Sequence, residues 1–311
     1  MILLTDISTF AGQAILRRLV AERRAVRCLL QPSRRELRLP TGVTVATVAT
    51  SWADLPALRT GLLDVTTVIH VVGDFYGDPS RSLAHHPQET ANLLLAMQET
   101  GVERLIYISR FGAEQASAYS ILRIHGETEA LIRQAQPRAA ILQPTITYGH
   151  GDLFTHTLAM FAKLIPFVFP VPNAGLSRFQ PLWVEDLAMA TSVALDDDRM
   201  AGKTLPLGGP EYFTLPQIVG EILAALRVRR TRVQASLPMV RLASQLLETL
   251  MRRNPLPLWM LEVLTAGSAT ELDVVPRLFG FEPSRLAHSL SYLGEPYPWR
   301  REFARFALGL S

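Results

Sequence analysis

Between an apolar run at residues 1–4 and a segment of helical period at 11–22, the chain reads Thr5-Asp6-Ile7-Ser8-Thr9-Phe10-Ala11-Gly12. A turn at such a junction can hold a pyrophosphate, because the first amides of a helix lack internal partners and point at an anion. The chemistry calls for three glycines: one for the turn, one to bare the backbone toward the phosphates, and one to pack helix on strand. Only the third place is glycine here, Gly12, while Asp6 and Thr9 stand in the other two. Aspartate tolerates a left-handed backbone better than most residues, yet its carboxylate repels a phosphate, and the β-branched Thr9 covers amides that should be bare. The loop therefore predicts weak phosphate binding or none.

Other reactive residue types read as structural. Cys28, the single cysteine, lies in an apolar stretch and has no partner for an internal disulfide, so it is a buried thiol suited to a reducing compartment. His85 and His86 are adjacent but lack a third ligand at metal-site spacing, so no metal is expected. Asp64, Asp152 and Asp186 are scattered and suit turns or helix caps. Tyr119 and Arg123 are four residues apart and share a face if that segment is helical.

The elements that must position these residues alternate from the first residue. Strands are predicted at 1–4, 25–30, 43–48, 68–72, 105–108 and 139–143, and helices at 11–22, 55–62, 87–100 and 117–136. The continuous apolar run at 68–72 is the kind buried on both faces of a parallel sheet. Alternation of this type specifies a doubly wound parallel α/β sheet, the Rossmann arrangement, over residues 1–150. From 151 to 311 proline- and glycine-rich segments separate helices at 184–195, 215–226 and 237–251, which reads as a smaller, mainly helical lobe interleaved with the core. The tail at 297–311 begins Tyr-Pro-Trp-Arg-Arg-Glu-Phe-Ala-Arg-Phe; it is either a solvated terminal helix or a docking segment for a partner or membrane surface.

Composition narrows the function classes. With 311 residues, 48% hydrophobic and 19% charged, the chain buries a large core and is not disordered. A net charge of +3 is too mild for a nucleic-acid binder. The apolar stretch at 153–172 carries His156, Lys163 and three prolines and does not suit a membrane span, whereas a mean hydropathy of +0.17 leaves apolar surface for a partner or for peripheral membrane contact. The expected location is cytoplasmic, or peripheral on the cytoplasmic side of a membrane.

Longer phrases carry a resemblance. The segments VIHVVG (68–73), GVERLIYIS (101–109), QPTITYGHGD (143–152), RFQPLWVEDL (178–187) and GKTLPLGGPEYFTL (202–215) are similar to strand and loop phrases of the atypical short-chain dehydrogenase/reductase family. Within it the chain looks most like the nucleotide-binding accessory subunits of respiratory complex I. The resemblance implies NADP(H) or NAD(H) as cofactor, along Thr9, Phe10, Ala11 and Gly12, Val72 and Gly73, and Pro144 and Thr145. Gln31 marks the place of a basic residue that would select a 2′-phosphate, with Arg34 and Arg35 just beyond. It also implies a catalytic serine, tyrosine and lysine, in which the tyrosine moves a proton and the lysine lowers its pKa. Tyr119 matches the tyrosine and Arg123 replaces the lysine; the serine is Ser109, or else its place falls on Arg110. His86 and Gln143 stand where the family has asparagine and arginine, and the acid expected after the third strand is missing from Ala49-Thr50-Ser51.

Two functions follow. The first is a non-catalytic Rossmann subunit of a larger, membrane-associated complex, with its dinucleotide weakly bound or absent. The second is an NAD(P)H-dependent reductase or epimerase using Tyr119 as acid and Arg123 as its electrostatic support. Loss of several catalytic and loop positions together favours the first.

Overall fold

A computed structural model describes residues 1–30, 45–71, 85–172, 177–252 and 254–309. In the first part, β1 (Ile2–Leu4), α1 (Phe10–Ala21), β2 (Val26–Leu30), β3 (Ala46–Ala49), α2 (Leu55–Gly61), β4 (Thr67–Val71), α3 (His86–Thr100), β5 (Arg104–Ile108), α4 (Ser120–Ala135) and β6 (Ala140–Pro144) alternate as expected. They form a parallel sheet ordered β3-β2-β1-β4-β5-β6, extended by a seventh strand, β10 (Thr204–Leu207). Parallel neighbours need crossovers, and helices supply them on both faces. Every residue of β4 is buried, as its continuous apolar run requires. α1 packs with α6 (Val184–Asp196) over one face, and α2, α3 and α4 cover the other.

The lobe is built from β7 (Thr147–Tyr148) paired with β9 (Leu182–Trp183), β8 (Val168–Pro172) paired with β11 (Thr231–Ala235), and a set of helices. These are α5 (Leu153–Leu164), α7 (Leu215–Ala225), α8 (Leu237–Leu250), α9 (Leu258–Ala266), α11 (Leu286–Ser289) and α12 (Trp299–Leu308). α6, β10 and α10 (Val274–Phe279) return to the sheet, so the second half of the chain interleaves with the first. No helix among the described residues is long and apolar enough to cross a membrane.

Two local differences from the sequence reading have clear causes. The helix expected at 117–136 starts at Ser120, because Tyr119 has extended backbone (φ −88°, ψ 120°) and acts as its N-cap. β10 carries Pro206, which discourages a strand assignment, but it is the edge strand beside β6 and has a side with no ladder to complete. Residues 43 and 44 of the expected third strand lie outside the described residues.

α4 sits close on the sheet's approach loop because Gly126 has no side chain. A Cβ there would lie 2.3 Å from the carbonyl carbon of Glu114 and 2.5 Å from the amide nitrogen of Gln115, both backbone atoms that cannot rotate away. Gly126→Ala should destabilise the chain by about 1–3 kcal/mol in urea unfolding, the usual range for overpacking; an unchanged midpoint would contradict this packing.

Candidate functional site

The strand order reverses between β1 and β4, which places a ligand crevice outside their carboxyl ends. Thr5 follows β1 and stitches that point together. Its hydroxyl accepts from the Val71 amide at 3.0 Å and lies 2.9 Å from Nδ1 of His70. The chain then turns into α1, with Thr9 as N-cap. Gly12 makes this turn feasible, since a Cβ there would sit 1.9 Å from the Asp6 carbonyl oxygen. The one loop glycine is thus the one that packing demands.

The other two positions are occupied by acceptors. Asp6 Oδ1 accepts from the Ser8 amide at 2.6 Å and the Ser8 hydroxyl at 2.7 Å, while burial pushes its carboxyl pKa up. Thr9 Oγ1 accepts from the Gly12 amide at 3.0 Å, and the Thr9 carbonyl from Gln13 at 2.9 Å. Asp6 is not among the described non-glycine residues with positive φ. The loop's own side chains therefore take the Ser8 and Gly12 amides, and the acidic Asp6 fits an anionic pyrophosphate poorly.

Beyond the loop lies a cavity of about 70 Å³. Pockets for small molecules usually measure roughly 300–1,000 Å³. Phe10 and Ala11 line it from the loop, Ser109, Arg110, Pro144 and Thr145 from the sheet edge, and Trp259, Met260, Val263 and Leu264 from α9. The lobe thus contributes apolar side chains of α9 to the cavity wall.

Of the candidate catalytic residues, Ser109 lines the cavity, whereas Tyr119 and Arg123 lie together at the start of α4 outside its lining. Ser109 is buried and its hydroxyl donates to Glu129 Oε1 at 2.5 Å. Tyr119 is half-buried against the lobe core, with its hydroxyl 3.5 Å from that of Thr265, and does not line the cavity. Arg123 is exposed and donates to the Ser117 carbonyl at 3.3 Å. Thr145 gives its hydroxyl to the Gln180 carbonyl at 2.5 Å, and the Pro144 carbonyl accepts from the Phe111 amide at 2.9 Å. Gln31, Arg34, Val72 and Gly73 lie outside the described residues. Cys28 is buried, and burial lifts its thiol to about 12, which suits packing and not nucleophilic attack.

Sequence reasoning missed two buried polar assemblies. In the first, Glu129 accepts from Ser109, from Gln143 at 2.7 Å and from Arg133 at 2.6 Å, which accounts for glutamine at 143. In the second, His70, His86, His125 and Tyr107 gather between sheet and helices. The rings of His70 and His86 stack at 5.3 Å and those of His70 and Tyr107 at 5.5 Å; the Tyr107 hydroxyl lies 2.8 Å from His125 Nδ1, and Thr90 closes the chain at 3.0 Å from His70 Nε2. Burial drives all three histidines down, His86 to about 3, and raises Tyr107, so every member is neutral. The available signal was His70 inside a continuous apolar strand, a place where a polar side chain must find partners.

No family model matches the chain. It is 28% identical over 208 residues to "NADH dehydrogenase [ubiquinone] 1 alpha subcomplex subunit 9, mitochondrial" of Arabidopsis thaliana, covering 66% of this chain and 52% of that protein. The Mus musculus protein of the same name is 29% identical over 145 residues, which is 46% of this chain and 37% of that one. The chain is a relative of these subunits. It spans about half the length, or less, of the relatives it matches. Among solved structures, the NADPH complex of an NADPH-dependent quinone oxidoreductase from Escherichia coli is 18% identical with a TM-score of 0.76, covering 95% of this chain and 100% of that one. A nucleoside-diphosphate-sugar epimerase from Staphylococcus aureus is 16% identical with a TM-score of 0.73, covering 94% and 99%. The resemblance read from the motifs therefore extends to these subunits, and the fold is a Rossmann-type parallel α/β architecture.

The neutral histidines give the fold a pH dependence with a defined sign. Unfolded histidine takes a proton near 6.5, whereas His86 in the fold does so only near 3. Stability is therefore fully present above 6.5 and lost as pH falls through that window, by up to about 1.4 kcal/mol per pH unit for each such group. The urea midpoint should drop between pH 7 and pH 5, and His86→Gln should flatten that slope. A midpoint independent of pH in both proteins would show that these histidines titrate normally in the fold.

Proposed function

We propose that the chain is a non-catalytic Rossmann-fold subunit of a larger, membrane-associated assembly, peripheral on the cytoplasmic side. The nucleotide fold serves there as a scaffold, and NADP(H) or NAD(H) binds weakly or not at all. The observation that carries this reading is the small cavity beside the loop: among the described residues it holds about 70 Å³, and α9 side chains line it. The self-capped loop and the sequestered Ser109 hydroxyl support it. So do the relatives, whose names describe subunits of NADH dehydrogenase. A reductase built on Tyr119 and Arg123 would need both beside the cavity, and neither lines it.

Purification of the tagged chain from its own cells in mild detergent tests the proposal. It should migrate in an assembly well above its 34.5 kDa. The purified chain should oxidise NADPH no faster than buffer with quinone or carbonyl acceptors, and Tyr119→Phe should change nothing. A free monomer whose hydride transfer disappears in Tyr119→Phe would overturn it.

A further inference from the structure

Helix α8 carries more apolar surface than the body covers. On its inner side Val240 and Leu247 pack against the lobe core, and Ser244 is fully buried. The Ser244 hydroxyl donates to the Leu256 carbonyl at 2.6 Å, and Asn254 donates back to the Ser244 carbonyl at 2.9 Å, which fixes the helix's rotation. At about 100° per residue, Met239, Leu242, Leu246 and Leu250 fall on one adjoining stripe. They are 66%, 57%, 55% and 79% exposed. The whole apolar arc spans about 220° of the helix, roughly twice the width that packing on one core requires. At its far end the Arg252 amide donates to the Ala307 carbonyl at 3.2 Å, bringing Leu308 of α12, itself 57% exposed, to the same end as Leu250. The aromatic tail contributes little else to this surface, since Trp299 and Phe306 are buried.

The charge along this stretch of the chain is mostly positive. Residues 227–253 contain seven arginines and one carboxylate, Glu248, in a chain whose net charge is only +3. The Arg230 guanidinium is held by the carbonyls of Ala162 and Ile165, and that of Arg232 by Pro216. Carbonyls fix these side chains and leave their charge in place. Among the described residues Arg227, Arg229, Arg230, Arg232, Arg241 and Arg252 form no salt bridge, although Glu262 of α9 lies within the field of Arg241.

We propose that α8 is a membrane-docking helix whose Met239, Leu242, Leu246 and Leu250 stripe enters the interface of an anionic phospholipid bilayer, with the neighbouring arginines meeting its head groups. A protruding apolar stripe on a helix held against a folded body suits a bilayer interface, into which such a helix sinks lengthwise. Anionic head groups complement the arginines, whereas a second copy on the same face would set two arginine-rich segments against each other. The inference rests on reading the chain as peripheral to a membrane, and it is independent of the assembly and of the nucleotide.

Flotation of the purified full chain with vesicles tests it. The chain should float with vesicles of phosphatidylglycerol and phosphatidylethanolamine, remain behind with phosphatidylcholine alone, and lose binding in high salt. Leu242→Asp with Leu246→Asp should lower partitioning at least ten-fold while the circular dichroism and thermal midpoint stay unchanged, because both side chains are exposed. Arg241→Glu with Arg252→Glu should remove the preference for anionic lipid. Failure of the intact chain to float with anionic vesicles would overturn the proposal, as would flotation indifferent to the leucine substitutions. A dimer in sedimentation that dissociates in the leucine variant would assign the stripe to a second copy instead. Vesicle binding without a larger assembly in cells would uphold this inference while removing the subunit reading, and the reverse would separate them the other way.

Discussion

The carboxyl end of β1 depends on the contact between α1 and the turn beneath it. Any side chain at residue 12 would overlap the Asp6 carbonyl oxygen, so glycine is required there whether or not a nucleotide binds. The two other loop positions face no such wall, and there the chain has oxygen-bearing side chains that satisfy its own amides. Glycine at the position that packs, and substitution at the positions that would face phosphate, is the pattern expected where the fold is maintained for its architecture.

The same division runs along the carboxyl edge of the sheet. Ser109 and Gln143 both give their donors to Glu129, a buried carboxylate that Arg133 also reaches from the surface. Burying that charge is tolerable because three donors surround it. The Ser109 hydroxyl and the Gln143 amide are thereby engaged in holding β5, β6 and α4 together. Behind them the stacked histidines and Tyr107 fill the space between sheet and helices with neutral polar rings, linking residues from β4, β5, α3 and α4.

Much of the fold was legible because parallel sheets write themselves as alternating apolar runs and helical periods, and the expected elements fall within a few residues of those observed. Pro206 hid β10, since proline is compatible with a strand only at an edge and sequence does not say which strand is the edge. The loop's departure from a phosphate cradle was legible at Asp6 and Thr9. What those residues do instead was not, because Thr9 capping Gly12 depends on where the helix starts. Glu129 and the histidine array escaped notice because most of their members come from different elements and meet only through packing. The exposed face of α8 was equally hidden. Its pattern reads as an ordinary amphipathic helix, and only the position of Ser244 shows which apolar residues are left uncovered.

Calorimetric titration of NADPH into the intact chain and into the Asp6→Gly, Thr9→Gly variant shows whether the loop's own side chains oppose dinucleotide binding. No saturable binding, or only weak binding, is expected with the intact chain, and affinity at least ten-fold higher once both glycines are restored. Tight, stoichiometric binding to the intact chain that the substitutions leave unchanged would contradict that expectation.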